Sequence, residues 1–304
     1  MEQSAITQQL STLRDYIRWG SSEFNRQKLD FGHGFGSALD EAVYLVLYAL
    51  ELPWDWSDKY FDCVLTTSER EHVYAVLIQR IKSRMPAAYI SREAWFCGLP
   101  FYVDERVLVP RSPISELINN RFEPWLDATQ VGSVLDMCTG SGCIAIACQY
   151  AFPEAQVFAS DISLDAIEVA NINLEKHGLA DDLTVYESDL FNNIPPQQFD
   201  LIVSNPPYVD ALDMANLSDE FKSEPSLGLE AGEDGLDIVD QMLVQSLEYL
   251  SDTGLLVIEV GNSQLAMMEK YQTLPLSWID FEHGGSGVFC ISAKELKHYL
   301  ELAG

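Results

Sequence analysis

The sequence predicts an α/β protein: a doubly wound, mostly parallel sheet flanked by helices, with a small helical domain before it. Three observations carry this. After residue 130, short apolar runs alternate with amphipathic helical stretches, the pattern of repeated βαβ units. The first 85 residues show helical spacing alone. The chain is 304 residues long and 47% hydrophobic, more than one core usually occupies, so a large and a smaller domain are expected.

The helical part is expected over residues 1–90. Segments near 4–19 and 37–50 carry apolar residues at helical spacing, and Pro53 ends the second. Ser68-x-x-Glu71 reads as a capping box opening a helix through Val73, Val76, Leu77 and Ile81 that stops before Pro86. From Ala94 the pattern changes to two aromatic-rich runs around Gly98-Leu99-Pro100, read as a β-hairpin within a linker of residues 91–112. Ser112 and Pro113 then suit the N-cap and first position of a helix.

The third segment, 113–304, should hold the sheet. Val131–Cys138, Gln156–Ile162, Leu183–Asp189, Phe199–Ser204 and Gly254–Gly261 read as strands, with helices near 142–151, 163–176 and 236–250. Ser277–Glu282 and Val288–Ala293, joined by His283-Gly284-Gly285-Ser286-Gly287, suit an antiparallel pair at the sheet edge. In such a sheet ligands sit beyond the carboxyl ends of the strands, so candidate chemistry is sought there.

The first strand runs through Asp136 into Met137-Cys138-Thr139-Gly140-Ser141-Gly142. Gly140 and Gly142 allow a tight turn with backbone close to a ligand, and Asp136 can accept a hydrogen bond or face a positive group. Asp161 ends the next strand, 21 residues after Gly140. A carboxylate there can accept both hydrogen bonds of a ribose diol, or simply cap the helix starting near Ser163. After the third strand, Asp189 and Leu190 offer an acceptor and an apolar face suited to adenine. These features fit either a nicotinamide dinucleotide or S-adenosyl-L-methionine. The loop lacks a third glycine, and Asp136 is a poor neighbour for a pyrophosphate, so a sulfonium cofactor with a cationic tail is the better electrostatic match.

The fourth strand ends in Asn205-Pro206-Pro207-Tyr208. A planar amide or aromatic amine nitrogen is a poor nucleophile. Methylating it requires in-line presentation with its N–H bonds held by acceptors, so that developing charge is stabilised. The Asn205 side-chain oxygen and the Pro206 carbonyl can be those acceptors, the prolines stiffen the loop, and Tyr208 offers a flat face for stacking. No base is needed before transfer, because the methylated nitrogen becomes acidic.

Charge narrows the partners. Residues 1–90 hold 9 basic and 12 acidic side chains and residues 91–304 hold 9 and 35, so the second part carries −26 of the net −29. Such a surface repels phosphate backbones and attracts cations, which weighs against unassisted binding of free nucleic acid and for a basic protein partner. The apolar run Ala42–Leu50 is nine residues, too short to cross a bilayer, and no signal peptide is visible at the start, so a cytoplasmic protein is expected. The six cysteines form no C-x-x-C pair and the five histidines show no ligand spacing, so no metal site is expected and the thiols read as reduced and mostly buried.

Over essentially its whole length the chain resembles the HemK-like protein glutamine methyltransferases. The resemblance rests on Val134–Gly142, on Asn205–Tyr208, on Glu224-Pro225 followed by Gly232-x-x-Gly235-Leu236-Asp237, and on the preceding helical domain. It implies a Rossmann-like S-adenosylmethionine-dependent methyltransferase domain over 113–304 and a substrate-docking role for 1–90. It also implies that Cys138–Gly142 line the methionine part of the cofactor, Asp161 its ribose and Leu190 its adenine, while Asn205–Tyr208 hold the glutamine amide. The stretch Ala94–Pro113 is similar to the branch that modifies ribosomal protein L-three rather than the one that modifies release factors. Cys138, where glycine is common, and Ser112, where an acid is common in the release-factor branch, are departures that favour the ribosomal branch. The nine acidic residues of 208–237, against Lys222 alone, are expected to help dock a cationic protein. Rival readings are a release-factor methyltransferase, an adenine N-methyltransferase, a nicotinamide-dependent oxidoreductase, and a cofactor-binding protein without turnover.

Overall fold

The computed structural model describes residues 3–303 and separates into two compact units. The first comprises Met1–Glu93 together with Ser218–Ser223; the second comprises Ala94–Leu217 and Glu224–Gly304. The division falls at Glu93, near the expected end of the helical domain at residue 90, and Ala94–Ser112, expected as a linker, lies wholly in the second unit. The excursion of Ser218–Ser223 has no signature in local pattern.

In the first unit the helices are α1 (Gln3–Gln9), α2 (Leu13–Arg26), α3 (Ala38–Ala49), α4 (Thr67–Ser83) and α5 (Ala87–Ser91). The stretch expected as one helix over 4–19 is two, because Thr12 and Asp15 form a reciprocal cap that starts α2 afresh. In α4 the capping box is Thr66 with Glu69, two residues before the expected Ser68 and Glu71. Tyr16, Phe24, Leu45, Val46 and Leu77 fill the core between these helices.

That core also contains charge. Arg80 on α4 has no solvent exposure, and its guanidinium donates to Glu41 at 2.6 Å, to Glu220 at 3.3 Å and to the Asp30 carbonyl at 2.8 Å. Arg84 adds a second contact to Glu220 at 3.0 Å, and Phe221 packs on His33 with ring centroids 4.2 Å apart. Glu220 and Phe221 are thus what seat the Ser218–Ser223 segment among the helices. A buried guanidinium is tolerable only with such partners.

The second unit opens with the hairpin β1 (Ala94–Phe96) and β2 (Leu99–Phe101). Its turn is Cys97-Gly98, both at positive φ (50° and 74°), so Leu99 and Pro100 belong to the strand and not to the turn as expected. Then follow α6 (Ile114–Asn119), β3 (Ser133–Met137), α7 (Cys143–Ala151), β4 (Gln156–Asp161), α8 (Leu164–His177), β5 (Leu183–Glu187), β6 (Phe199–Ser204), α9 (Ala211–Asn216), α10 (Asp237–Gln245), β7 (Leu250–Glu259), α11 (Gln264–Lys270), β8 (Ser277–Trp278), β9 (Val288–Ser292) and α12 (Ala293–Ala303). The strand order is β5-β4-β3-β6-β7-β9-β8, parallel from β5 to β7, with β9 antiparallel to both its neighbours. This is the doubly wound sheet expected, closed by the expected antiparallel pair.

Alternate residues of the buried strands feed two cores, one per face. Val134, Leu201 and Val203 join Ile114, Ile144 and Leu174, while Leu135, Ile202 and Ile258 join Leu236, Met242 and Leu296. The chain runs outward from β3 to β4 and β5, then jumps back to β6 on the other side of β3. That reversal opens a crevice at the carboxyl ends of β3 and β6.

Candidate functional site

A cavity of about 450 Å³ occupies that crevice. Its floor is made by residues at and just beyond the strand ends: Met137, Cys138 and Gly140 at β3, Ser160 to Ser163 at β4, Ser188 to Leu190 at β5, and Asn205 and Pro207 at β6. Val107, Leu108, Leu227 and Gly228 contribute to the opposite wall.

The loop after β3 is bent hard. Cys138 sits at φ 56° and Gly140 at φ 55°, and a Cβ on Gly140 would meet nothing within 4 Å, so that backbone faces open space. Gly142, the N-cap of α7 at φ 79°, packs instead against Ala170 of α8. Asp136, Thr139, Ser141 and Gly142, expected as cofactor contacts, are therefore not on the cavity wall. Asp136 is fully buried beneath the loop, where its carboxylate accepts from the Thr139 hydroxyl at 2.5 Å and the Ala145 amide at 3.0 Å. Burial pushes its carboxyl up to about 7. Its Oδ2 atom braces the turn, and its Oδ1 atom is buried without a hydrogen-bond partner. Ser141 is held from behind, its carbonyl accepting from Asn173.

Asp161 is on the cavity wall and tied to the loop, accepting from the Gly140 amide at 2.9 Å and the Ser163 amide at 2.9 Å. Burial raises its carboxyl, and the amides oppose that. The second bond leads into α8, whose N-cap is Ser163 itself. Asp189 is exposed on the same wall, and Leu190 is buried beside it at φ 47°. Glu105, Asp165 and Glu230 add further carboxylates. Arg106 is the one guanidinium on the wall among the described residues, and it is bound to Asp104 and Glu168. The cavity therefore favours a cationic or neutral ligand over a pyrophosphate.

Asn205 and Pro207 reach the cavity; Pro206 is buried, and Tyr208 is not on the wall. The Asn205 Oδ1 atom is buried without a hydrogen-bond partner, an acceptor left for something else to satisfy. Beyond the turn, Val209 exchanges backbone hydrogen bonds with Leu229 and Ala231, which fixes the loop's exit. The Tyr208 hydroxyl donates to Glu259 at 3.1 Å, and the ring lies on the backbone of Gly261, where a Cβ would stand 2.4 Å from it. The sequence suggests a stacking platform over the substrate plane at Tyr208; the structure instead has a ring anchored behind the loop.

Further residues frame the site. Glu224 is buried and takes a two-point contact from Arg111 at 2.6 and 2.7 Å, plus the Val109 amide at 3.0 Å. Ser112 does not cap α6 from the N-cap position. It donates to Glu259 at 2.5 Å and accepts from the Ile114 amide at 3.1 Å. The Glu224-Pro225 pair marks one of these in the sequence, whereas Glu259 shows there only as a carboxylate ending a buried apolar strand.

A family model described as the methyltransferase small domain matches residues 121–275. A ribosomal protein uL3 glutamine methyltransferase from Francisella tularensis subsp. tularensis (strain SCHU S4 / Schu 4) is 47% identical over 301 residues, covering 99% of this chain and 96% of its own. One from Burkholderia pseudomallei (strain K96243) is 45% identical over 293 residues, covering 94% and 95%. Among solved structures, the hMettl16 catalytic domain in complex with MAT2A 3′UTR hairpin 1 aligns with a TM-score of 0.50 at 14% identity, over 91% of this chain and 89% of that one. At that identity the likeness concerns the fold alone.

Proposed function

Since the chain belongs to the family of ribosomal protein uL3 glutamine methyltransferases, we propose that its cavity presents a glutamine amide of uL3, through the Asn205–Tyr208 loop, for N5-methylation. It is a protein-(glutamine-N5) methyltransferase with S-adenosyl-L-methionine as cofactor, which when bound supplies a methyl group on a sulfonium centre. The observation that carries the loop assignment is the buried, unpartnered Oδ1 of Asn205 at the cavity edge.

In this reading the amide N–H groups donate to Asn205 Oδ1 and to the Pro206 carbonyl, which orients the nitrogen lone pair toward the methyl donor. As the bond forms, positive charge on nitrogen is stabilised by the same two acceptors. The proton leaves afterwards, so no base need precede transfer. Cys138 and Gly140 would border the cofactor's amino-acid part, Asp161 would accept from its ribose diol, and Asp189 and Leu190 would frame its adenine. Asp136 and Thr139 would hold the loop's shape from beneath. The helical unit, residues 1–90 by the sequence reading, would dock a basic protein substrate, and the enzyme would act in the cytoplasm.

The test is peptide mass spectrometry of uL3, and separately of a release factor, after incubation with the enzyme and S-adenosyl-L-methionine. A single methyl on a uL3 glutamine, absent with Asn205→Ala, is expected. Methylation of the release factor alone would keep the chemistry and overturn the substrate; transfer to neither would overturn the reading.

A further inference from the structure

Glu259 ends the buried strand β7 and is only 5% exposed. Two hydroxyls satisfy its carboxylate: Tyr208 donates to Oε1 at 3.1 Å and Ser112 to Oε2 at 2.5 Å. Burial raises its carboxyl, and these hydroxyls with the nearby Arg111 charge oppose that. An apolar side chain at such a strand end would be the cheaper choice for stability alone, since a buried carboxylate must first shed its water. The pairing needs a reason beyond packing.

The surroundings supply one. The residues after Glu259 form a socket shaped to Tyr208. The ring rests on Gly261, and the Tyr208 carbonyl accepts from the Ser263 hydroxyl at 2.8 Å. Gly235 closes on the same carbonyl, where a Cβ would lie 2.3 Å away. Behind the socket stands the glycine-rich turn seen in the sequence. The Val260 amide donates to the Gly287 carbonyl at 2.6 Å, and a Cβ on Gly287 would strike the Gly261 carbonyl at 2.2 Å. Ring, hydroxyl and carbonyl of one residue are therefore all gripped by the short segment from Glu259 to Ser263, with Gly235 closing beside the carbonyl.

We propose that Glu259 is a positioning residue for methyl transfer, fixing the Asn205–Tyr208 loop through the Tyr208 hydroxyl and tying it to the Pro110–Ser112 segment through Ser112. The inference rests on the assignment of that loop to the amide. Tyr208 lies three residues beyond Asn205 with two prolines between, so a ring free to swing would move the acceptors relative to the methyl donor. A misplacement on the order of 1 Å costs roughly 100-fold in rate.

The experiment is steady-state kinetics on uL3 with the full chain, alongside the dissociation constant for S-adenosyl-L-methionine and the melting temperature. Glu259→Leu is expected to lose roughly 100-fold in kcat with cofactor affinity kept, its melting temperature separating lost positioning from lost folding. Glu259→Gln, which can still accept from Tyr208 and donate to Ser112, is expected to recover most of that rate. Tyr208→Phe, which removes only the hydroxyl, should cost kcat by itself and add little when combined with Glu259→Leu, because both changes break one contact. Unaltered kcat in Glu259→Leu, a rate loss matched by loss of cofactor binding, or additive effects of the two substitutions would each overturn the proposal. Should Glu259→Leu melt early, Tyr208→Phe with Glu259→Gln decides, and equal kcat for Tyr208→Phe and wild type overturns it. A wild-type enzyme that methylates no uL3 would bring down the assignment itself, an outcome distinct from active variants.

Discussion

Asp136 carries a consequence for pH. Its carboxyl rises from 3.8 to about 7 on burial, while the unfolded chain binds its proton only near the ordinary value. The folded state therefore holds the extra proton between those limits. The stabilising contribution is complete below about pH 4 and is lost as pH climbs through 7. Asp136→Asn should abolish this slope, so the variant's unfolding free energy is expected to gain on wild type between about pH 4 and pH 7, by a few kcal/mol at most, and its melting temperature to follow. Parallel curves for the two proteins would show that the carboxyl ionises in place without penalty. Asn205 and Asp161 are legible in the sequence because each stands at a strand end beside a turn with its own signature. Glu259 is not, since its partner Ser112 is 147 positions away and no local pattern marks a contact made only by folding. Tyr208 shows the limit in reverse: residue type suggests a stacking face, and the glycine at 261 turns that face inward.

Elements are more legible than contacts. The strands from β3 to β7 and the helices between them follow from apolar runs and periodicity, and their ends shift by a few residues where caps intervene. The break between α1 and α2, and the start of α4, are set by threonine caps that compete with neighbouring serines for the same role. The Ser218–Ser223 segment cannot be read at all, because nothing local says that a short polar stretch belongs to helices far earlier in the chain. Its anchor is testable. Glu220→Ala leaves Arg80, which has no exposure, short of a counter-charge, and about 3–5 kcal/mol of stability should be lost. Glu220→Gln should lose less, because the amide oxygen can still accept. Denaturant titration of the full chain measures both, and an unchanged midpoint in the alanine variant would mean that Glu41 alone suffices for Arg80.

For the molecule as a whole, the net charge of −29 is the dominant long-range fact. The nine acids of 208–237 do not all serve docking, as the sequence suggests they could. Glu220 and Glu224 are buried in ion pairs, which leaves Asp213, Glu233 and Asp237 among the exposed ones. Reversing those three to lysine is expected to weaken uL3 binding by on the order of tenfold at low salt and progressively less as ionic strength rises, with cofactor affinity unmoved. Equal weakening of both ligands in titration calorimetry would assign the change to damage rather than to steering.

The excursion of Ser218–Ser223 also bears on how such enzymes can be cut and recombined. Three covalent passages, at 93/94, 217/218 and 223/224, join the two units where a simple tandem arrangement would have one. A protease nick at 93/94 would yield two fragments that co-purify, because the larger still owns Glu220 and Phe221 while the smaller keeps their partners Arg80 and His33. A chimaera exchanging residues 1–93 for those of a relative would likewise need the relative's counterpart of Ser218–Ser223 to come with them. The modular boundary of this protein is thus discontinuous, and a catalytic fragment begun at Ala94 would carry an orphaned piece of its neighbour.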